Sequence, residues 1–193
     1  YNSYMAKAKQ MATDWAKLAK DGTHYKLAYD RSGTWSQKYN MVWDKAWGTN
    51  LFPETIKRQE YNYYMTKLKT YGLPLDSRST YTKSDWEYWT ASLASSKTNF
   101  LKISDLLWKY ANETPSRVPF SDWYFTDGNG SWVSFRARSV VGGHWMKVYM
   151  DKILSGEIGS AIAPIRADEV GNKASKYING WYNLSGQKID EPV

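Results

Sequence analysis

The chain has 193 residues, a formal net charge of +7 and no cysteine. Aromatic residues make up 17% of it, which excludes a mainly disordered chain because many large side chains are available for burial. Without cysteine there are neither disulfides nor thiolate chemistry. Acidic residues are interleaved with the basic ones throughout, so we interpret the charge as a solvated surface and expect no nucleic-acid partner.

Metal and membrane classes are also disfavoured. The two histidines, His24 and His144, lie far apart and lack the spacing of metal ligands, so we expect neither a metal nor a cofactor. No apolar run approaches the roughly 18 residues of a membrane span. The first residues, "YNSYMAKAKQMATDWAKLAK", already have a helical pattern and lack a starting Met. We therefore expect the chain to be a piece of a longer polypeptide.

Three segments have the apolar period of amphipathic helices: residues 4–18, 54–71 and 98–111. Pro53 and Gly72 bound the second one, as expected for a helix start and a helix end. The apolar faces are formed by Tyr4, Ala8, Met11, Trp15 and Leu18, then by Tyr61, Tyr64, Leu68 and Tyr71, and then by Phe100, Ile103, Leu107 and Tyr110.

Between these lie segments 39–47, 85–94 and 138–150, which are apolar or small on nearly all sides and predict buried helices. Ser84 with Glu87 predicts a capping box at the start of the second. A strand is the competing interpretation for "SWVSFRARSVV" (131–141).

Amphipathic and buried helices thus alternate with a period of about 45 residues, which predicts an array of helical hairpins. The expected fold is all-α, with three hairpins forming the C-terminal half of an (α/α)6 toroid over residues 1–154. Residues 155–193 lack a helical period and predict a linker and the start of a small β-like module.

The connections that lead into the buried helices, residues 29–40, 72–85 and 112–132, are polar and aromatic. They should all lie at one end of the array, where helix N-termini attract anions. Such a cluster suits a pocket for a small charged molecule, in which Arg holds a carboxylate and Asp holds an ammonium group or acts as acid or base. The catalytic candidates are Asp44, Asp76, Asp85, Asp122 and Lys83, and the substrate-binding candidates are Arg78, Arg117, Arg138, Trp35, Gln37, Trp86 and Trp123.

Structural alternatives exist for each group of candidates. The three arginines could pair with Asp76, Asp85 and Asp122 to hold loops against helix ends, and the tryptophans could be core residues. Asp44 lies in a buried-type helix and needs either a partner or a function. His144 is interpreted as a packed polar residue. Ser77, Thr82 or Ser84 beside Lys83 could form a nucleophilic pair.

Four stretches resemble the helical toroid domain of the glutaminase A family: "YKLAYDRSGTWSQKYNMVWDKAWGTNLFP" (25–53), "YGLPLDSRSTYTKSDWEYWTASLA" (71–94), "ANETPSRVPFSDWY" (111–124) and "FRARSVVGGHWMKVY" (135–149). The resemblance implies a secreted, multi-domain hydrolase with a six-hairpin toroid like that of glycosidases. It implies hydrolysis of the side-chain amide of L-glutamine to glutamate and ammonia.

Two other functions remain open from the sequence. The first is a glycoside hydrolase on the same toroid, with a pair of carboxylates drawn from Asp44, Asp85 and Asp122 in a Trp-lined cleft. The second is a carbohydrate- or peptide-binding module at the cell surface. "WYNLSGQKI" near the end resembles small sorting modules of secreted proteins of anaerobic bacteria, which implies a bacterial, secreted, periplasmic or cell-surface protein.

Half a toroid should leave its inner helices uncovered. We expect Val42, Trp43, Trp89, Val141 and Trp145 to form an exposed apolar surface, too large for a stable soluble monomer. The chain should then pair with a preceding N-terminal segment of the same protein, and that segment should supply part of the pocket for a small-molecule substrate.

Overall fold

A computed structural model describes residues 1–158, 181–182 and 188–189. The chain divides into two compact units, Tyr1–Ile158 and Gly159–Val193. The described part of the second unit is one antiparallel pair, β5 (Trp181–Tyr182) with β6 (Lys188–Ile189). The remainder of the predicted tail, and most of "WYNLSGQKI", lies outside the described residues. The division into a toroid domain and a β-like module therefore stays a prediction.

The first unit is helical, with only short strand pairs, so the all-α prediction is confirmed. Its α-helices are α1 (Asn2–Leu18), α2 (Met41–Trp47), α3 (Glu54–Met65), α4 (Ser84–Ala91), α5 (Lys97–Glu113) and α6 (Met146–Leu154). A 3₁₀ helix, Ser139–Trp145, runs directly into α6. The strands are β1 (Lys20–Asp21), β2 (His24–Tyr25), β3 (Tyr81–Lys83) and β4 (Trp123–Phe125).

Two helix boundaries differ from the prediction for reasons visible in the backbone. Helix α3 ends at Met65 and not at residue 71, because Tyr71 and Gly72 join a turn in which the Tyr71 N–H donates to Thr126 O. The third buried segment begins as a 3₁₀ helix, where Gly142 and Gly143 weaken α-helix propensity.

The predicted capping box is wrong. Neither Ser84 nor Glu87 caps α4, whose N-cap residue is Lys83 and has no side-chain cap. The Glu87 carboxylate instead accepts hydrogen bonds from Leu73 N (2.7 Å) and the Tyr124 hydroxyl (3.0 Å). It therefore holds the connection before α4 to β4, a long-range use of the side chain that a local motif cannot reveal.

Burial confirms one predicted helix face and corrects another. On α5, Ile103, Leu107 and Tyr110 are buried as predicted. On α1 only Ala12 is buried, and the predicted face is largely exposed at Tyr4, Met11 and Leu18. The periodicity of α1 was real, but the rest of the described unit does not cover that face.

The predicted exposed apolar surface on the inner helices is mostly wrong. Val42 is 0% exposed, because it belongs to the main core, to which all helices from α2 to α6 contribute. Trp43 and Trp89 pack edge to face with ring centroids 5.2 Å apart and are partly buried, as is Val141. Of the set only Trp145, at 70% exposure, is open. The inner helices thus cover one another within this chain.

The three polar connections lie side by side at one end of the helices, as predicted. The first joins the second through the Gln37 N–H, which donates to Leu75 O at 2.8 Å. The second joins the third through antiparallel pairing of β3 with β4, in which Lys83 faces Trp123. The loops therefore form a continuous, hydrogen-bonded surface over the N-termini of α2 and α4.

Candidate functional site

The site lies where the β3–β4 pair meets the N-terminus of α4 and the 3₁₀ helix. We call Lys83, Asp85, Asp122, Arg138 and His144 the Asp85 cluster. Lys83 ends β3, Asp85 lies in the first turn of α4, and Ser84 N donates to Asp122 O at 2.8 Å. Arg138 immediately precedes the 3₁₀ helix. Four of the five members were candidates from the sequence.

The Asp122 carboxylate lies between two cations. Arg138 holds it bidentately, with Nε 2.9 Å from Oδ1 and Nη2 on Oδ2, and Lys83 Nζ lies 3.4 Å from Oδ2. Burial acts to raise the pKa of Asp122, but the Arg138 hydrogen bond and the Lys83 charge outweigh it and lower that pKa. One buried carboxylate thus orients two cations.

Lys83 is held by aromatic rings as well as by Asp122. Its Nζ lies 4.3 Å from the Trp123 ring centroid and 4.7 Å from that of Phe135. Burial lowers the pKa of Lys83, and the charge of Asp122 opposes this. The ammonium has three donors and one long contact to Asp122, so it keeps hydrogen-bonding capacity.

Asp85 has the opposite environment. Its side chain is largely buried, and its Oδ1 has no hydrogen-bond partner among the described residues. Burial raises the pKa of Asp85, backbone N–H groups at the start of α4 lower it, and the Asp122 charge raises it further, so the net shift is upward. A buried carboxyl group with a free oxygen and a raised pKa is typical of an acid–base site.

The 3₁₀ helix closes against Asp85 at Gly143. A Cβ on Gly143 would lie 2.8 Å from Asp85 Cβ and 3.0 Å from Trp89 Nε1, so no larger residue fits. The next residue, His144, lies with Nε2 2.9 Å from Ser84 Oγ, and burial lowers its pKa against the charge of Asp122. Ser84 is completely buried, so as a nucleophile it would not reach a substrate in this conformation.

A second group of candidates borders a pocket of about 450 Å³, which we call the Asp76 pocket. Asp76 is paired bidentately with Arg78, with contacts of 2.9 and 2.7 Å, as the structural alternative expected. Trp86 forms a wall of this pocket and stacks on Tyr39 at 4.5 Å. The Tyr39 ring lies 6.3 Å from that of Trp89, which packs with Asp85 against Gly143, so this wall lies next to the Asp85 cluster. Burial raises the pKa of Tyr39, and the Asp85 charge adds to this.

Asp44 is not in either group. Its carboxylate accepts from Lys57 Nζ (2.7 Å), Thr49 Oγ1 (2.5 Å) and the backbone N–H groups of Leu51 (2.7 Å) and Phe52 (3.2 Å). Burial raises its pKa, but these contacts outweigh burial and lower it. The partner that the sequence required is therefore Lys57, and the contacts favour a structural role between α2 and α3.

The remaining candidates are placed as follows. Gln37 is buried, with its amide nitrogen donating to Leu73 O and Pro74 O and its Oε1 accepting from Thr90. Trp35 is a core residue beside Tyr64. Trp123 lies under Lys83 in the cluster. Arg117 is exposed, and no hydrogen bond or ion pair of the described residues joins its side chain to the cluster.

Sequence reasoning missed or undervalued three residues of the site. His144 was interpreted as packing, Tyr39 was counted only as part of a buried helix, and Phe135 was not singled out. The only local signal for Phe135 was its place three residues before Arg138 in the sequence. No local signal marks Tyr39, because its stacking on Trp86 depends on how the segment before α2 packs against α4.

No group of three or more His, Asp or Glu residues in the described part of the chain could hold a metal ion. Among the described residues there is also no helix with the length and apolarity of a membrane span. The Asp85 cluster combines a pair of cations that share one carboxylate, a carboxylate oxygen with no partner among the described residues, and aromatic rings. These features lie in a domain built of helical hairpins.

The comparisons identify the family. The chain matches the glutaminase A six helical-hairpin domain over residues 1–148 and belongs to that family. The described residues contain six α-helices, or three pairs, as expected for part of a six-hairpin fold.

Two curated relatives are fungal. The chain is 32% identical to a probable glutaminase of Arthroderma benhamiae over 172 residues, covering 72% of this chain and 20% of the relative. It is 38% identical to glutaminase A of Aspergillus oryzae over 122 residues, covering 62% of this chain and 18% of the relative. No solved structure matches the chain significantly. The chain thus spans about a fifth of these relatives, and they lend no support to the bacterial source predicted from the tail.

Proposed function

We propose that this chain is part of a glutaminase, which hydrolyses the side-chain amide of L-glutamine to glutamate and ammonia. The observation that carries the proposal is the Oδ1 of the buried Asp85, which has no partner among the described residues, beside the cations Lys83 and Arg138. A zwitterionic amino acid needs a cation for its carboxylate, and amide hydrolysis needs a base for water. The names of the two curated relatives support the same reaction.

In this proposal Lys83 and Arg138 bind the α-carboxylate of glutamine. Asp122 orients both cations, because it pairs with each of them. Asp85 accepts a proton from the attacking water and returns it to the leaving nitrogen. Its raised pKa brings the proton affinity of the base closer to neutral pH, where acid–base catalysis is most effective.

An extracellular location and a preceding segment of the same protein belong to this proposal. They follow from the family resemblance and from the short share of each relative that the chain spans. The test therefore uses the complete protein that carries this chain. We expect it to release ammonia from L-glutamine and to leave aryl-glycosides intact. A folded complete protein that cleaves glycosides and releases no ammonia would support the glycoside hydrolase instead.

Lys83→Met tests the carboxylate-binding role. The Asp122–Arg138 pair remains in this variant, so the fold should persist while one cation is lost. We expect KM for L-glutamine to rise by roughly tenfold or more, since a charged hydrogen bond contributes about 1.5–3 kcal/mol. An amide substrate without the α-carboxylate should show no such change. Lys109→Met, in an exposed pair with Glu113 on α5, is the matched control.

A further inference from the structure

A pocket of about 540 Å³ opens beside the Asp85 cluster, and two members of that cluster, Arg138 and His144, line it. We call it the His144 pocket. Its other lining residues are one serine and three apolar residues: Ser139, Phe120, Ala137 and Val141. Ala137 and Ser139 are exposed, so the pocket is open to solvent and a small molecule can enter it.

The Arg138 guanidinium is fixed on one edge and available on another. Its Nε and Nη2 donate to the completely buried Asp122 carboxylate, and its Cζ lies 4.1 Å from the centroid of the Phe135 ring. Its Nη1 has no hydrogen bond among the described residues, and the side chain is 35% exposed. Since each guanidinium nitrogen of this edge carries its own N–H groups, Nη1 keeps donors for an anion in the pocket.

The His144 ring is also fixed in position. Its Nε2 lies 2.9 Å from Oγ of the buried Ser84, and its ring centroid lies 5.6 Å from that of Tyr88 and 5.8 Å from that of Phe120. The other ring nitrogen, Nδ1, makes no hydrogen bond within the described part of the chain. It is also not one of the fully buried atoms without a partner there, so a ligand in the pocket can reach it.

The contact with Ser84 determines which nitrogen of His144 carries the proton. Ser84 Oγ makes no other hydrogen bond among the described residues, so we assign its proton to the bond with Nε2. Because Nε2 is then an acceptor, the neutral imidazole carries its proton on Nδ1. Burial lowers the pKa of His144, which favours the neutral form at neutral pH. The Nδ1–H group is therefore a second donor beside Arg138 in this pocket.

We propose that the α-carboxylate of glutamine binds in the His144 pocket, where His144 Nδ1 and Arg138 Nη1 both donate to it, so that His144 is a substrate-binding residue. This inference rests on the proposed glutaminase function. A carboxylate matches the two donors because it only accepts hydrogen bonds and has two oxygens. An ammonium group does not match them, because it only donates, and no described residue that lines the pocket is acidic. The apolar walls, Phe120 and Val141, suit the carbon chain of the substrate.

Two substitutions of His144 test its two ring nitrogens separately in the complete protein. His144→Gln places an amide near Nε2, which keeps a partner for Ser84 and removes the Nδ1 donor. His144→Asn places an amide near Nδ1, which keeps that donor and removes the Ser84 contact. We expect KM for L-glutamine to rise roughly tenfold in His144→Gln and to stay close to wild type in His144→Asn, with kcat little changed in both. A structural role through Ser84 alone would give the opposite order.

Binding of L-glutamate, the product that keeps the α-carboxylate, is the readout that needs no turnover. In calorimetric titrations of the complete protein, its Kd should rise by the same factor as KM in His144→Gln and should not change in His144→Asn. A crystal structure of the complete wild-type protein with L-glutamate needs no variant. It should show the α-carboxylate within hydrogen-bonding distance of His144 Nδ1 and Arg138 Nη1.

Three results would overturn the inference: a wild-type Kd for L-glutamate in His144→Gln, equal weakening in both variants, or bound L-glutamate whose α-carboxylate lies away from His144. Failure of the wild-type protein to bind L-glutamate would overturn it as well. The proposed glutaminase function fails in a different way. Binding of L-glutamate in the pocket without release of ammonia from L-glutamine would support the carboxylate site and overturn the glutaminase function.

Discussion

Asp44 and Asp85 occupy similar places in successive inner helices, yet their carboxylates have opposite environments. Both are buried, on α2 and α4 respectively. Asp44 accepts from a cation, a hydroxyl and two backbone N–H groups, and its pKa is lowered against the effect of burial. Asp85 keeps one oxygen without a partner among the described residues, and its pKa is raised. Burial alone therefore does not decide the direction in which the pKa of a carboxyl group shifts, whereas its hydrogen-bond and ion-pair partners do.

Glu87 is the intermediate case. It is completely buried two residues after Asp85 in α4 and accepts two hydrogen bonds, but no cation pairs with it among the described residues. Burial raises its pKa to about 8, and the hydrogen bonds from Leu73 and Tyr124 only partly oppose this. Asp44 therefore has a cation and hydrogen bonds, and Glu87 has hydrogen bonds only. Asp85 has one oxygen without a partner among the described residues.

The largest effect is expected for Asp85→Asn. Loss of the base should lower kcat by roughly 10²- to 10⁴-fold, the usual contribution of general acid–base catalysis. The midpoint of thermal unfolding should stay constant or rise, because the amide carries no charge to bury. Steady-state ammonia release and calorimetry of the complete protein measure the two quantities, with Asp105→Asn on the exposed side of α5 as control. Wild-type kcat in the variant would contradict the assignment.

Asp44→Asn should lower the stability of the protein and leave kcat unchanged, which is the reverse of the effect expected for Asp85→Asn. Removing Asp44 leaves the buried Lys57 with only the solvent-exposed carboxylate of Glu54, 2.9 Å away, and should lower the free energy of unfolding by about 3 kcal/mol, the lower end of the range for breaking a buried ion pair. The kcat of the protein that remains folded should equal that of the wild type. Adding Lys57→Met should restore part of the loss, since both charges are then absent. A stable Asp44→Asn variant with greatly reduced kcat would place Asp44 among the catalytic residues.

The same pair predicts a pH dependence. The pKa of Asp44 is lowered in the folded state, so its stabilising contribution is present above the unfolded pKa and is lost as pH falls through the folded pKa. The stability difference between wild type and Asp44→Asn should therefore shrink in acid. Denaturant titrations from neutral pH downward measure it, and a difference that grows in acid would contradict the pairing.

A smaller effect is expected for Glu87→Gln. The folded pKa of Glu87, about 8, lies above its ordinary value of 4.5, so its contribution to stability is full below 4.5 and is lost as pH rises toward 8. Wild-type stability should fall relative to Glu87→Gln by at most about 1.4 kcal/mol per pH unit in this window. Parallel denaturant curves at several pH values check this. Identical pH slopes would mean that Glu87 ionises normally in the folded protein.

Much of the site was predictable from residue types. The three polar connections, the cations Lys83 and Arg138, and the acids Asp85 and Asp122 were visible as a concentration of charge before buried helices. The sequence could not show which of these residues lie together in one site. Asp76 with Arg78 and Asp122 with Arg138 are equally plausible ion pairs from residue types alone. Only the contacts show that the first pair is exposed on its Arg side, whereas the second shares its carboxylate with Lys83.

By itself, the sequence determined the all-α class, most helix positions and the family, because hydrophobic periodicity and short sequence motifs are local properties of the chain. Tertiary structure decided which helix faces are covered and which carboxylates have partners. Asp44 meets Lys57 across the α2–α3 turn, and Asp85 meets Gly143 from a segment far along the chain. The physical reason is that the pKa of a carboxyl group depends on burial and on the donors within hydrogen-bonding distance, and packing alone fixes both.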